Sequence, residues 1–244
     1  MNNLPEALAG GRLAALRARI RALEDHGPML GRPPVRLGPA LDPLLPGGGL
    51  ARAALHELAG PAATLAVLAF ARAALDRPGL LVWCLDERTA AARGLPWPPG
   101  LAARGLDPSR LLLVRAPDPR AAAWAVEEAL ASPAVAVVVG ELARVGLDLS
   151  RRLQLAAEAG GGLGLLLWPG RDPQPSAART RFWAEPVPAA GPGRLRLELW
   201  RAKGAAPAAV EVIVDGRTLA LAAAPALADP AAPAGGVPAR RAFA

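Results

Sequence analysis

The sequence predicts an α/β fold in which helices flank a mainly parallel sheet, with antiparallel strands at one sheet edge and an amphipathic helix before the sheet. Between residues 50 and 168, short apolar runs alternate with segments long enough for helices, a pattern typical of buried parallel strands. Beyond residue 168, polar and apolar residues alternate, which favours antiparallel strands with one exposed face. This order of elements indicates the α/β class.

The first predicted element is a helical arm, residues 1–26. Four of its apolar side chains recur at three- and four-residue spacing, which places them on one face of a helix. They are Leu13, Leu16, Ile20 and Leu23. Residues 27–49 are so rich in Pro and Gly that the sequence predicts a linker there.

The predicted core spans residues 50–221. Parallel strands are predicted at residues 54–58, 80–85, 111–114, 135–139 and 163–168. Helices are predicted at residues 62–76, 121–131 and 149–159, the second opened by Asp118 and the third by Asp148. Antiparallel strands are predicted at residues 194–200, 210–214 and 218–221, the last two joined by the turn Asp215-Gly216. Residues 222–244 are mostly Ala, Pro and Gly, which predicts a mobile tail.

Composition excludes several classes of protein. The chain carries 28 basic and 21 acidic residues, a net charge of +7, which favours an anionic partner. The excess of Ala, Gly, Pro and Arg is also typical of a G+C-rich genome, so composition overstates the preference for an anionic partner.

One cysteine, Cys84, permits no internal disulfide, and His26 and His56 give no metal-ligand spacing. We expect a cytoplasmic protein without a metal site, and no apolar run is long enough for a membrane helix.

The turn expected to bind phosphate lacks its lysine. A P-loop needs a glycine-rich turn and a lysine at the start of a helix. Between the first strand and the first helix the chain instead carries Gly60, Pro61 and Thr64, and the single lysine, Lys203, follows a much later strand. The sequence therefore predicts an ordinary strand-to-helix turn at a degenerate phosphate-loop position.

Other reactive side chains have structural explanations. His56 alternates with leucines in a strand, which predicts a structural histidine, and Cys84 is predicted to be core. Asp86 and Glu87 end the second strand, where α/β sheets bind ligands, but their position alone does not make them catalytic.

The core tryptophans are predicted to be Trp83, Trp124 and Trp168, and the candidates for partner anchors are Trp97, Trp183 and Trp200. Late basic residues fit either a phosphate contact or solvated strand faces; they are Arg179, Arg181, Arg194, Arg196, Arg201, Lys203 and Arg217.

Five segments resemble known proteins. Residues 41–50 (LDPLLPGGGL) and 55–61 (LHELAGP) resemble the entry into the core of RecA recombinases, where a Gly-Gly-Leu turn leads to a strand ending in Gly-Pro. Residues 200–207 (WRAKGAAP) resemble a segment of the antiparallel RecA edge. Residues 105–114 (GLDPSRLLLV) and 151–160 (RRLQLAAEAG) resemble the ImuA family, RecA-like accessory proteins of bacterial mutagenic translesion synthesis. The resemblance implies a RecA-like core.

Departures from the RecA pattern imply that the chain is not an enzyme. Ala62-Ala63-Thr64 stands where RecA has its phosphate lysine, and Arg88 stands at the position of a catalytic glutamate. The fourth strand runs into Gly140-Glu141 instead of ending in Asp. Since phosphoryl transfer depends on positioned cations and a water-orienting carboxylate, the resemblance implies no ATPase activity and no cofactor.

The resemblance also implies partners. The ImuA family is placed in the SOS response beside ImuB, a Y-family polymerase relative, and an error-prone C-family polymerase. By resemblance, the apolar face of the arm would dock on RecA or a similar protein, and Arg201 with Lys203 would reach that partner's ATP phosphates. A weak DNA contact, and packing of the same apolar face on the protein's own core, are alternatives. Two other functions stay open: a small ATP-dependent recombinase, against which the misplaced lysine argues, and a SulA-like inhibitor of cell division.

Overall fold

The computed structural model describes residues 32–143, 145–168, 170, 174–187 and 191–225. The predicted helical arm, with Leu13, Leu16, Ile20 and Leu23, lies outside the described residues, as does the predicted tail from residue 226 onward.

A nine-stranded sheet forms the centre of the fold, in the order β3-β2-β4-β5-β1-β6-β7-β8-β9. The first six strands pair in parallel, and β7, β8 and β9 continue the sheet antiparallel. The strands are β1 Ala54–Ala59, β2 Leu80–Asp86, β3 Leu111–Ala116, β4 Val135–Glu141, β5 Leu163–Trp168, β6 Thr180–Pro186, β7 Arg194–Ala202, β8 Ala208–Val214 and β9 Leu221–Ala223. The predicted fold class is confirmed, and the arrangement is that of a RecA-like core.

Helices connect the parallel strands. They are α1 Ala63–Ala74, α2 Glu87–Arg93, α3 Pro98–Ala102, α4 Pro119–Ala131 and α5 Leu147–Gly160. As the sequence predicts, Asp118 caps α4, because its carboxylate accepts the backbone N–H of Ala121 at 2.8 Å. Helix α5 begins earlier than predicted, with Gly146 as its N-cap and Asp148 in its first turn, and ends at the left-handed Gly161.

Alternate side chains of each parallel strand reach opposite faces of the sheet. On one face, Leu58 and Val139 belong to the core cluster that contains α1 residues. On the other face, Leu55 and Val138 belong to the cluster that contains α4 and α5 residues. Burial on both faces explains why these strands read as continuous apolar runs.

The described part of the predicted linker packs against the core. Two 3-10 turns, Asp42–Leu44 and Pro46–Gly48, lie within it, and Val35 and Leu50 form a backbone bridge. Its buried apolar side chains are Val35, Leu37, Leu41 and Leu45. The segment therefore contributes to the hydrophobic core despite its many helix- and strand-breaking residues.

Three further details differ from the sequence-based expectation. Strand β6 is absent from the predicted elements because a charged residue, Arg181, is its second residue. Strand β9 starts at Leu221 because the Asp215 carboxylate accepts the backbone N–H groups of Arg217 and Thr218 and extends the turn. The prediction that Trp124 is core is wrong: 61% of this residue is exposed, because it lies on the outer side of α4.

Candidate functional site

The turn at the predicted phosphate-loop position is short and closed. Only Gly60, Pro61 and Ala62 separate β1 from α1, whereas a P-loop places a longer glycine-rich loop there. The backbone N–H of Ala62 donates to the carbonyl of Ala184 in β6 at 3.0 Å, and that of Ala63 donates to the Gly60 carbonyl at 3.1 Å. Pro61 has no N–H to offer. Neither Ala62 nor Ala63 therefore has a free N–H group, because each donates to a backbone carbonyl of the protein itself.

Gly60 lets the turn lie against β6. Its φ is +104°, and a Cβ at this position would lie 2.3 Å from the Ala184 carbonyl oxygen and 3.1 Å from the Trp183 ring. Glycine reaches this φ without the clash that a Cβ would cause. Strand β6 therefore packs directly against the turn at Gly60.

A cleft of about 290 Å³ opens beside this turn, at the carboxyl ends of β2 and β4. Thr64, in the first turn of α1, lines the cleft, and so does Glu141 at the end of β4. The buried carboxylate of Glu141 accepts the indole N–H of Trp83 at 2.8 Å and a guanidinium N–H of Arg93 at 3.3 Å. The Glu141 carboxylate is thus hydrogen-bonded and ion-paired within the chain itself.

Asp86 and Glu87 have structural contacts. The Asp86 carboxylate caps α2, accepting the backbone N–H and the hydroxyl of Thr89 at 2.9 and 3.1 Å. Glu87 forms an ion pair with Arg115 at 2.7 Å, and both side chains are half-exposed. These contacts orient α2 over β2 and β3.

His56 is a structural histidine, as predicted. Its Nδ1 accepts the Thr180 hydroxyl at 2.6 Å, and its Nε2–H donates to the Ala51 carbonyl at 2.9 Å. Burial lowers the pKa of His56 to about 4, so the ring is neutral at pH 7. Cys84 is buried in the core, where burial raises its pKa to about 12, so the thiol is not a nucleophile at neutral pH.

The structure does not bring Arg201 and Lys203 to the phosphate turn. In the sheet register, Arg201 lies opposite Arg181, and Arg181 lies beside Glu57, in the middle of β1. Lys203 follows β7, and its backbone N–H donates to the Arg179 carbonyl. Gly60 follows the carboxyl end of β1, whereas Arg201 is level with the middle of that strand and Lys203 with its amino end.

A buried ion pair that is not predicted from the sequence joins the neighbouring strands β1 and β6. The guanidinium of Arg181 in β6 is 2.5 Å from the Glu57 carboxylate in β1, and both side chains are almost fully buried. Ser176 donates its hydroxyl to Glu57. Arg181 also donates to the Gln174 carbonyl at 2.9 Å and lies 4.2 Å from the Trp200 ring centroid. The signal in the sequence is a glutamate inside a strand that is buried along its whole length.

Other late basic residues are paired within the sheet. Arg194 donates to Glu211 at 2.6 Å, and Arg196 lies 3.6 Å from Glu185. The half-exposed Arg196 fits the interpretation of a solvated strand face, whereas Arg194 is buried, so neither a solvated face nor a phosphate contact describes it. Among the described residues, no group of His, Cys, Asp and Glu side chains could hold a metal ion. The described part of the chain also has no helix with the length and apolarity to cross a bilayer.

Comparison with known proteins identifies the family. No family model matches the chain. Protein ImuA of Caulobacter vibrioides strain NA1000 / CB15N is 34% identical over 198 residues, covering 69% of this chain and 78% of the relative. Protein ImuA of Caulobacter vibrioides strain ATCC 19089 / CIP 103742 / CB 15 gives the same values. With this identity and coverage, and with a RecA-like core, the chain belongs to the ImuA family.

Proposed function

We propose that this chain is a non-catalytic RecA-fold adaptor that acts in SOS-induced, error-prone translesion DNA synthesis. It acts by binding other proteins, with ImuB and RecA as the direct partners and an error-prone C-family polymerase in the same assembly. Its place of action is the cytoplasm, at the nucleoid during DNA damage. Membership of the ImuA family supports the role in mutagenesis.

The closed turn after β1 carries the non-catalytic part of the proposal. A triphosphate needs a ring of free N–H groups and a cation at the start of the helix, whereas Ala62 donates its N–H to Ala184. The Glu141 carboxylate already forms an ion pair with Arg93 at 3.3 Å. Lys203, the single lysine, follows β7. These contacts argue against the alternative of a small ATP-dependent recombinase.

The partner-binding face is assigned to the apolar stripe of the N-terminal arm. Leu13, Leu16, Ile20 and Leu23 would form one apolar face of a helix, and an amphipathic helix of this kind fits a hydrophobic groove on a partner. Arg201 and Lys203 remain candidates for contact with a partner's phosphates or with DNA. Both residues are exposed.

Capture of tagged ImuB and RecA by the full chain tests the adaptor function. We expect the double variant Leu16→Asp, Ile20→Asp to lose at least about 90% of the captured partner, because two buried carboxylates at an interface centre cost several kcal/mol. Its matched control is Ala14→Asp, Ala18→Asp, which adds the same charge on the opposite side of the predicted helix and should leave capture unchanged.

Two results would contradict the proposal. One is failure of the wild-type chain to capture either partner. The other is equal capture by the Leu16→Asp, Ile20→Asp variant and its control, which would show that the arm is not the docking surface. Circular dichroism of each variant confirms that the α/β core is intact.

A further inference from the structure

A groove of about 430 Å³ runs between α5 and the segment that leads into β6. Arg151, Leu147 and Leu155 of α5 form one side, Ala177 forms the other, and Lys203 lies at the end of β7. The groove is outside the closed turn and outside the cleft beside Glu141, so neither of those features explains it.

The residues that face α5 across the groove, Ser176 and Ala177, are held in place by hydrogen bonds to two different elements. The Ser176 hydroxyl donates to the buried Glu57 carboxylate. The backbone N–H of Ala177 donates to the Ser150 hydroxyl at 3.0 Å, and that hydroxyl donates to the Leu147 carbonyl at 2.8 Å. The wall is therefore tied both to the sheet and to α5. A groove formed in advance lowers the entropic cost of binding.

The groove is lined by two basic residues together with apolar and neutral polar ones. Arg151 and Lys203 are exposed, and within the described part of the chain no carboxylate side chain lines the groove. Among those residues neither cation forms an ion pair, unlike Arg152 next in sequence, which pairs with Glu127. Leu155 leaves 64% of its surface exposed. Two cations without acidic partners and an exposed leucine are complementary to a ligand that carries carboxylates next to apolar side chains.

A protein segment fits this lining better than a nucleic acid. Sites for single-stranded nucleic acid combine cations with aromatic side chains on which bases stack. No aromatic side chain among the described residues lines the groove. An exposed leucine has an apolar partner in a peptide and none along a phosphate backbone.

We propose that this groove binds an acidic, leucine-rich segment of a partner protein. Arg151 and Lys203 bind its carboxylates, and Leu155 packs against its apolar side chains. This inference rests on the proposed adaptor function and specifies the chemistry of a second contact, separate from the apolar stripe of the arm.

Fluorescence anisotropy with a labelled synthetic peptide in which Glu and Leu alternate tests the groove. We expect the full chain to bind this peptide, and the double variant Arg151→Glu, Lys203→Glu to weaken binding at least about tenfold. The matched control is Arg120→Glu, Arg217→Glu, which makes the same change in net charge away from the groove and should bind as the wild type does. Leu155→Ser should weaken binding of the Glu-Leu peptide but not of a polyglutamate peptide.

Three results would overturn the inference. They are equal binding by the groove variant and the control variant, equal binding of polyglutamate and the Glu-Leu peptide by the wild type, and binding of an oligo(dT) probe but not of the peptide through Arg151 and Lys203. If the groove fails while the stripe variant still loses partner capture, the adaptor function stands and the groove alone is rejected.

Discussion

Replacing Arg181 by leucine should destabilise the protein by about 3–5 kcal/mol, because removal of one partner leaves a buried charge uncompensated. The remaining Glu57 carboxylate would keep the Ser176 hydroxyl but lose the guanidinium that lies 2.5 Å away. The Gln174 carbonyl would lose the hydrogen bond that it accepts from Arg181 at 2.9 Å. Chemical unfolding in urea, followed by far-UV circular dichroism, measures the change in the free energy of unfolding.

Two comparisons make this result specific to the buried pair. Arg196→Leu, on the neighbouring strand β7, removes an arginine whose side chain is 49% exposed and should cost less than about 1 kcal/mol. The double variant Glu57→Leu, Arg181→Leu should recover a large part of the lost stability, because it removes both charges together. A cost for Arg181→Leu as small as that for Arg196→Leu would contradict the structural role of the pair.

Gly60→Ala should destabilise the protein by about 2–4 kcal/mol, since it combines a strained φ with a backbone collision. The new Cβ would lie 2.3 Å from the Ala184 carbonyl oxygen, so either the turn or β6 must move. Thermal and urea unfolding of this variant measure the cost. Contacts of the Trp183 ring should change at the same time, which tryptophan fluorescence reports.

Gly94→Ala is the matched control for the backbone strain. Gly94 also has a positive φ, +82° with ψ −176°, but a Cβ there meets no atom within 4 Å, so we expect the cost of backbone strain alone, about 1–3 kcal/mol and below that of Gly60→Ala. The difference between the two variants isolates the close approach of β6 to the turn. Equal costs would mean that β6 does not close the turn, and this result would contradict the proposal that no phosphate binds there.

Continuous apolar runs made the parallel strands predictable. Residues 163–168 were predicted as a strand with the bounds that the structure has, because a strand buried on both faces carries no polar interruption. Strand β6 is not predictable from the sequence because Arg181, near its start, is buried through a contact with Glu57 in β1, far away in the sequence. Helices α2 and α3 are short, and α3 contains Pro and Gly, so periodicity gave no signal for them.

The candidate site was predictable only in part. The absence of a lysine after Gly60 could be seen in the sequence, and so could the resemblance to the ImuA family. Closure of the turn could not, because it depends on a hydrogen bond from Ala62 to Ala184 in an unpredicted strand. The contact of Glu141 with Trp83 is also non-local, and it forms only when β2 and β4 pair.

Calorimetric titration of Mg·ATP into the full chain is the most direct test of the claim that this RecA-like core has no working nucleotide site. We expect no saturable heat of binding, and no hydrolysis with or without single-stranded DNA. Saturable one-site binding of Mg·ATP that is abolished by Glu141→Gln would contradict it.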